Sequence, residues 1–352
     1  VAKFIHQACV AFATQTLEGT YNSTLDGLTS TVTAANGLIL GDRESGVKES
    51  GLDISFARSF RDKAPETSAL TATLSDFLRA DVPTFTFAFP FCGNRDAAAS
   101  PPVAADATPI AGIDALLNGA GMTGADSGSD TWKYVFSDST KPISALVYVS
   151  GMRLELLDCR VNLELSFEPG SVPIAEATIA VGSVKEQTVL AFPTTLTFGS
   201  QSSVSAPVVE NLANQWQDTR GFSEGTLAID NTIADVPDCN QTDGGIVKEK
   251  TARSVTFEGT LFADDADASA WGYEYSQLIE AAEGNLDELS FTVPPAMTAT
   301  DPAKGVQVKL PKPELQAQTP VALGTKAGNT VTLVARGAAG AGGNDELELY
   351  FV

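Results

Sequence analysis

The sequence predicts a mainly β protein, with two related β-sandwich or barrel domains in one chain, each carrying one short flanking helix. Three observations predict it. At 352 residues the chain exceeds the usual size of a single hydrophobic core, so two domains are expected. Thr, Val, Ser, Phe and Leu recur in short runs broken by Gly, Pro, Asn and Asp, the punctuation of strands and turns. One order of elements also reads twice along the chain. With 43% hydrophobic and 19% charged residues, the whole is expected to fold. The expected limits are an N-terminal arm and first strand over 1–50, one β-domain over 51–190 and a second over 191–352.

Val1 to Ala13 has an apolar stretch interrupted by His6 and Gln7, which reads as an arm or strand better than as a signal peptide. Thr14 to Asn36 is rich in Thr, Asn, Ser and Gly and reads as a loose arm, followed by a strand at Leu38–Leu40. Two-residue alternation marks Leu52–Phe56, Leu70–Leu74 and Thr84–Phe89, where Phe85, Phe87 and Phe89 fall on one face. Arg95 to Pro109 reads as a loop. Ile110, Ile113, Leu116 and Leu117 share a helical face that Gly119 or Gly121 ends. A Gly/Ser/Asp loop from Gly121 to Asp130 leads to strands at Trp132–Phe136, Ser144–Val149, Met152–Leu157, Val161–Phe167 and Ala175–Val181.

The second half opens at Leu227–Ile229, alternates over Val255–Phe262 and has a helical pattern over Ala270–Ala282. Strands at Leu289–Val293, Val306–Leu310, Thr330–Val334 and Leu347–Val352 follow, with a Gly/Ala hairpin loop at Gly337–Gly343. Glu49-Ser50-Gly51-Leu52-Asp53-Ile54 resembles Glu224-Gly225-Thr226-Leu227-Ala228-Ile229, and each enters a similar succession of elements. A recurrence at domain length points to duplication. If one such domain closes a ring of six, a chain holding two closes it with three copies.

The formal charge is -22, and the 44 acids divide equally between residues 1–189 and 190–352. Affinity for phosphate backbones comes from Lys and Arg, so this balance argues against a protein that grips nucleic acid or an anionic membrane. No run approaches the roughly 20 apolar residues of a membrane span. Cys9, Cys92, Cys159 and Cys239 match no metal spacing and read as free, half-buried thiols.

Catalytic patterns fail on context, so no catalytic, cofactor-binding or metal residue is expected. The single histidine, His6, lies in the arm. Gly221-Phe222-Ser223-Glu224-Gly225 fits G-x-S-x-G, yet a strand follows where a nucleophile elbow needs a helix. Gly119 to Gly124 fits G-x-G-x-x-G but follows a helix instead of opening one. Asp264, Asp265 and Asp267 lack the central Gly of a calcium loop and suit the start of the helix behind them. The three Phe rings of Thr84–Phe89 lack the basic surround of a stacking platform and read as core. Asn22-Ser23-Thr24 and Asn240-Gln241-Thr242 fit a glycosylation pattern short enough to arise by chance.

From Cys159-Arg160-Val161-Asn162-Leu163 through Glu168-Pro169-Gly170-Ser171-Val172-Pro173 to Thr178-Ile179-Ala180-Val181-Gly182, the chain resembles tail tube proteins of long non-contractile-tailed phages. In that family a Gly- and Arg-containing turn starts a strand, a Gly hairpin follows and the next strand ends in Gly. Asp158 stands where the pattern has Gly. Leu227-Ala228-Ile229-Asp230-Asn231, Asn240 to Gly245 and Thr251-Ala252-Arg253 extend the resemblance, in order, over roughly 50 to 350. It implies a non-enzymatic virion protein that needs no cofactor, is assembled in the host cytoplasm and stacks as rings into a conduit for the genome. The implied partners are further copies of the chain, the tail terminator, the baseplate or distal tail proteins, the tape measure protein and DNA that slides through without specific binding. The arm and long loops are then expected to make ring-to-ring contacts. Three other readings stand beside this one. A baseplate hub or distal tail ring would form single closed rings. A secreted β-sandwich adhesin or surface-layer subunit would carry disulfides. A carbohydrate-active enzyme has only plentiful carboxylates behind it.

Overall fold

The computed structural model describes residues 8–41, 52–57, 60–63, 74–77, 82–91, 110–128, 131–138, 141–149, 151–168, 171–198, 213–214, 222–237, 246–262, 289–293, 306–323, 326–337 and 344–351. They form mainly antiparallel β structure with one α-helix. In chain order the elements are β1 (Ala8–Thr14), β2 (Thr31–Thr33), β3 (Leu38–Ile39), β4 (Leu52–Ala57), β5 (Phe60–Lys63), β6 (Leu74–Phe77) and β7 (Val82–Pro90). Helix α1 (Ala111–Gly119) precedes β8 (Met122–Gly128), β9 (Thr131–Phe136), β10 (Ile143–Val149), β11 (Met152–Phe167), β12 (Ile174–Ala180), β13 (Ser183–Val189), β14 (Thr195–Thr197) and β15 (Ala213–Asn214). The chain continues through β16 (Phe222–Pro237), β17 (Ile246–Phe262), β18 (Leu289–Val293), β19 (Val306–Leu310), β20 (Pro313–Leu323), β21 (Lys326–Ala335) and β22 (Glu348–Phe351).

Strand β11 organises the molecule. Its first half pairs with β10 and β13, its second half with β12 and β16. One strand therefore belongs to two sheets. The larger sheet runs β4-β7-β12-β11-β16-β17-β21-β20, and the smaller runs β3-β1-β10-β11-β13. A separate six-stranded sheet, β15-β18-β19-β22-β9-β8, packs against the larger one. Strands from both sides of residue 190 build each of these two layers, because β11 pairs β16 in one and β9 pairs β22 in the other.

The layers meet through aromatic rings. Phe91 lies 5.4 Å from Phe351, Phe167 5.3 Å from Phe291 and Phe257 5.2 Å from Phe291, centroid to centroid. Such contacts contribute beyond their buried area when offset or tilted, as these are. Phe12, Phe87, Phe89 and Phe91 continue the row into the smaller sheet at spacings of 5.7–6.4 Å. α1 fills the corner between sheets. Ile113, Leu116 and Leu117 are fully buried there, and Tyr134 Oη donates to Asp114 Oδ1 at 2.6 Å. Gly121, at φ 100°, ends the helical turn in the left-handed region.

Residues 8–41, expected as an arm or strand up to Ala13, a loose arm over Thr14–Asn36 and a strand at Leu38–Leu40, are part of the fold. β1 lies between β10 and β3, and Phe12 is fully buried. Residues 15–36 turn back over the outer face of the smaller sheet, where Leu25 and Val32 cover Ala11, Leu146 and Tyr148. Removing this segment would take out an interior strand. The loop expected over Gly121–Asp130 is largely β8, whose turn-like composition is overridden by pairing with β9. The two strands expected at Met152–Leu157 and Val161–Phe167 are one. The Arg95–Pro109 loop and the Ala270–Ala282 helix lie outside the described residues.

The interruption between those two expected strands is Asp158, at φ 51° and 1% exposed. It sits where β11 leaves one sheet for the other. Among L residues Asp and Asn tolerate this region best, because a short polar side chain can bond to nearby backbone. Here Oδ1 accepts the Gly19 N–H at 2.8 Å. With the Gln15 amide turned to suit, its nitrogen donates to Oδ1 at 2.9 Å and its oxygen accepts the Asp158 N–H at 3.1 Å. Asp158→Gly is expected to lose only the side-chain bonds, about 1–2 kcal/mol. Asp158→Ala adds the left-handed strain and is expected to be less stable than the Gly variant by a further ~1 kcal/mol. Denaturant unfolding of the two variants measures this, and equal losses would show that the backbone conformation carries no cost.

Candidate functional site

The larger sheet has two faces of opposite chemistry, set by the two-residue period of its strands. The inner face carries Phe85, Phe87, Phe89, Leu163, Leu165, Leu227, Phe257 and Leu333, all at most 2% exposed. The open face carries the alternate residues, Thr84 and Thr86 on β7, Glu176 and Thr178 on β12, and Glu164 and Ser166 on β11. It continues with Thr226 and Asp230 on β16, Ser254, Thr256 and Glu258 on β17, and Thr332 on β21. Asp53 on β4, Glu224 on β16, Glu249 on β17 and Glu314 on β20 extend the carboxylates to both ends of the face.

The bases near this face are turned away from it or engaged. Arg336 Nε bonds Glu314 Oε2 at 2.6 Å, and Arg160 Nε donates to the Lys248 carbonyl at 3.1 Å. Where the β16–β17 register shifts after Thr232, Lys250 faces inward and its Nζ packs on Gly121. Arg253 also lies inside, its guanidinium 3.7 Å from the Phe136 ring centroid and its Nε 2.8 Å from Glu346 Oε2. Burial, with Arg253 and Arg160 nearby, lowers the Lys250 pKa. With Lys250 and Arg253 inside and Arg336 paired to Glu314 at the edge, the described residues leave the open face with a net negative field.

A second polar cluster lies on the outer face of the smaller sheet. Arg153 bonds Glu155, whose side chain is fully buried. Lys185 Nζ lies 2.9 Å from Glu155 Oε2, 2.8 Å from Asp26 Oδ1 and 4.4 Å from the Tyr21 ring centroid. Tyr21 and Asp26 belong to the segment folded over this sheet, so the cluster fastens that segment down. Its members are locked to one another, and nothing in the arrangement offers a nucleophile or an open ligand position.

The residues singled out in the sequence are not brought together. Phe85, Phe87 and Phe89 are core. Residues 222–225 begin β16 and run on as strand to Pro237, so no helix follows Ser223. Gly119 ends α1 and Gly124 lies in β8, where a Cβ would collide with Trp132 Nε1. Cys9 and Cys159 are free and buried, deeper than expected, and burial pushes the Cys9 thiol up to about 12 and raises that of Cys159. Asn22 Oδ1 accepts the Thr24 N–H at 2.8 Å in a local turn. His6, Cys92, Cys239, Asn240, Asp264, Asp265 and Asp267 lie outside the described residues. Among the described residues no three His, Cys, Asp or Glu side chains converge as a metal site requires, and no helix is long and apolar enough to cross a membrane.

Glu164 and Glu176 stand directly opposite each other on β11 and β12. Desolvation, and then the facing Glu164 charge, raise the Glu176 pKa. A carboxyl raised in the folded state binds its proton more readily there than in the unfolded chain. Its charged form therefore costs stability above the folded pKa, and that cost disappears as pH falls through it. Glu176→Gln is expected to stabilise the protein at pH 7 by a few tenths of a kcal/mol, since both groups face solvent. The gain should vanish below the ordinary carboxylate range. Denaturant midpoints at pH 7 and pH 3 test this, and a loss of stability at pH 7 would contradict it. In comparisons with known proteins, no family model matches this chain and no curated protein matches it.

Proposed function

We propose that this chain is a structural subunit of a phage tail tube. In this reading three copies close a ring, the larger sheet continues from copy to copy as the wall, and the acidic open face lines the bore. The observation that carries it is a spatial order of strands that occurs twice. In the larger sheet, β4, β7, β12 and β11 stand side by side, followed by β16, β17, β21 and β20. Each set begins with two antiparallel neighbours. The chain then leaves for the other layer, through β8 and β9 in one case and β18 and β19 in the other. It returns as a hairpin whose second strand joins the second strand of the set.

Register agrees with order. Leu52, Phe87, Ala177 and Leu163 are successive partners across the first set. Leu227, Phe257, Leu333 and Leu315 are successive partners across the second. Leu52-Asp53-Ile54 and Leu227-Ala228-Ile229, matched in sequence, occupy corresponding places. Two related halves side by side in one sheet are what a ring with twice as many units as chains requires. The left-handed Asp158, at the position where the tail tube pattern has Gly, supports the same reading.

Dimensions and charge also support it. At about 4.8 Å per strand and a tilt near 40°, eight strands close to a barrel only roughly 16 Å across its backbone. Three copies give twenty-four strands and roughly 48 Å, wide enough for a duplex about 20 Å across. A bore that is net negative over its described residues, and rich in Thr and Ser, repels a duplex, so DNA passes without sticking.

Negative-stain electron microscopy of the purified protein tests the proposal. Hollow cylinders with a periodic axial repeat are expected. Single closed rings that never stack would favour a hub or distal ring, and a monomer at every concentration and salt would end the proposal.

A further inference from the structure

We propose that residues 16–29 are a strap that lifts from the smaller sheet as a unit while the rest of the fold stays closed, with Lys185 as its latch. The inference goes beyond the tube reading and does not depend on it.

The strap is anchored at both ends and lightly held between them. Before it, β1 pairs along its whole length with β10, and the Gln15 N–H donates to the Pro142 carbonyl at 3.0 Å. After it, β2 pairs in parallel with β14, and β3 pairs with β1. Between these anchors, every hydrogen bond from the strap to other described residues runs through a side chain. Lys141 Nζ donates to the Thr16 carbonyl at 2.8 Å, and Tyr148 Oη to the Leu28 carbonyl at 2.6 Å. The Gly19 N–H donates to Asp158 Oδ1 at 2.8 Å, and the Asn22 N–H to Ser144 Oγ at 3.0 Å. Burial is thin as well. Leu25 is buried, Tyr21, Asn22 and Leu28 are half-buried, and the other strap residues are exposed. Few buried apolar contacts and few backbone bonds mark a unit that opens at a lower free energy than the whole.

The surface beneath the strap also favours lifting. Arg153 and Glu155 lie there, buried and charged. Tyr21 Oη, Arg153 Nε and Asp158 Oδ2 are buried at the same joint with no hydrogen-bond partner among the described residues. Each recovers its desolvation cost when water reaches it, which offsets part of what is lost with Leu25. Lifting uncovers the apolar face that holds Ala11, Leu38, Leu146 and Tyr148.

One side chain spans the joint. Lys185 is the residue skipped by the register shift between β11 and β13, and such a bulge re-aims a side chain. Both Lys185 and the next residue, Glu186, then reach the strap side, where Glu186 lies 3.7 Å from Arg153. Lys185 Nζ meets Asp26 and the Tyr21 ring on the strap and Glu155 on the sheet. Lifting breaks the first two contacts and leaves the third in place.

Amide hydrogen exchange on the purified protein tests this, read at Gly19 and Asn22 against the amides of β16. In urea below the unfolding transition, exchange in β16 should rise steeply with denaturant, and exchange at Gly19 and Asn22 should stay nearly flat. Val255→Ala, in the core of the larger sheet, should speed exchange in β16 by about tenfold or more and leave Gly19 and Asn22 unchanged. Lys185→Met should speed Gly19 and Asn22 by about tenfold. If Gly19 and Asn22 follow β16 in urea and in Val255→Ala, the strap opens only with the whole protein and the proposal is overturned. Wild-type rates at both amides in Lys185→Met would overturn the latch. Ring or tube formation enters none of these comparisons, so the tube reading is tested separately.

Discussion

The structure depends on one strand changing partners halfway along. β11 is sixteen residues long and has neighbours on both sides over most of its length, but its neighbours differ at its two ends. A regular strand would keep both halves in one twisted sheet. The left-handed residue at Asp158 breaks that regularity, and the hydrogen bonds from Gly19 and Gln15 hold the break open. The smaller sheet diverges there, and α1 fills the space left between. Through β16, the second half of β11 also carries the sheet into the second half of the chain.

This junction explains why the folded-back N-terminal segment matters. Its residues 15–19 supply the partners of Asp158, and Tyr21 and Asp26 meet Lys185 over the buried Glu155. Breaking such a buried network costs far more than its presence contributes, because one member is left charged and unpaired. The segment thus acts less as an appendage than as the outer cover of the smaller sheet. Its composition of Thr, Asn, Ser and Gly reflects tight turns packed on that sheet.

The parts of the fold most legible in sequence were those where one face is buried and the other wet. Thr84–Phe89 and Val306–Leu310 alternate in this way and are strands within a residue or two of the expected limits. β8 was hidden because Met122-Thr123-Gly124-Ala125-Asp126-Ser127-Gly128 has the composition of a turn, and only pairing with β9 makes it a strand. β20, with two prolines and a polar middle, pairs among the described residues with β21 alone and lacks the pattern of an interior strand. The acidic face was illegible for a different reason. Alternation divides each strand into two sets, but which set meets the core depends on the layer that packs above it. The sequence shows 44 acids and says nothing of which of them share a surface.

The last described strand, β22, lies between β9 from the first half and β19 from the second. Lys133 and Glu348, 215 residues apart, meet at 2.5 Å across it. β1 is similarly remote in sequence from its partner β10. Loops of this length must close before their contacts return any stabilisation, which places folding toward the slow end of the range for β proteins. Until β22 docks, the hydrophobic row ending in Phe351 stays open to solvent and the second layer remains in two pieces. A chain crowded among its siblings during that interval would tangle through whatever surface it exposed first, so orderly polymerisation demands that maturation of each monomer outrun encounter.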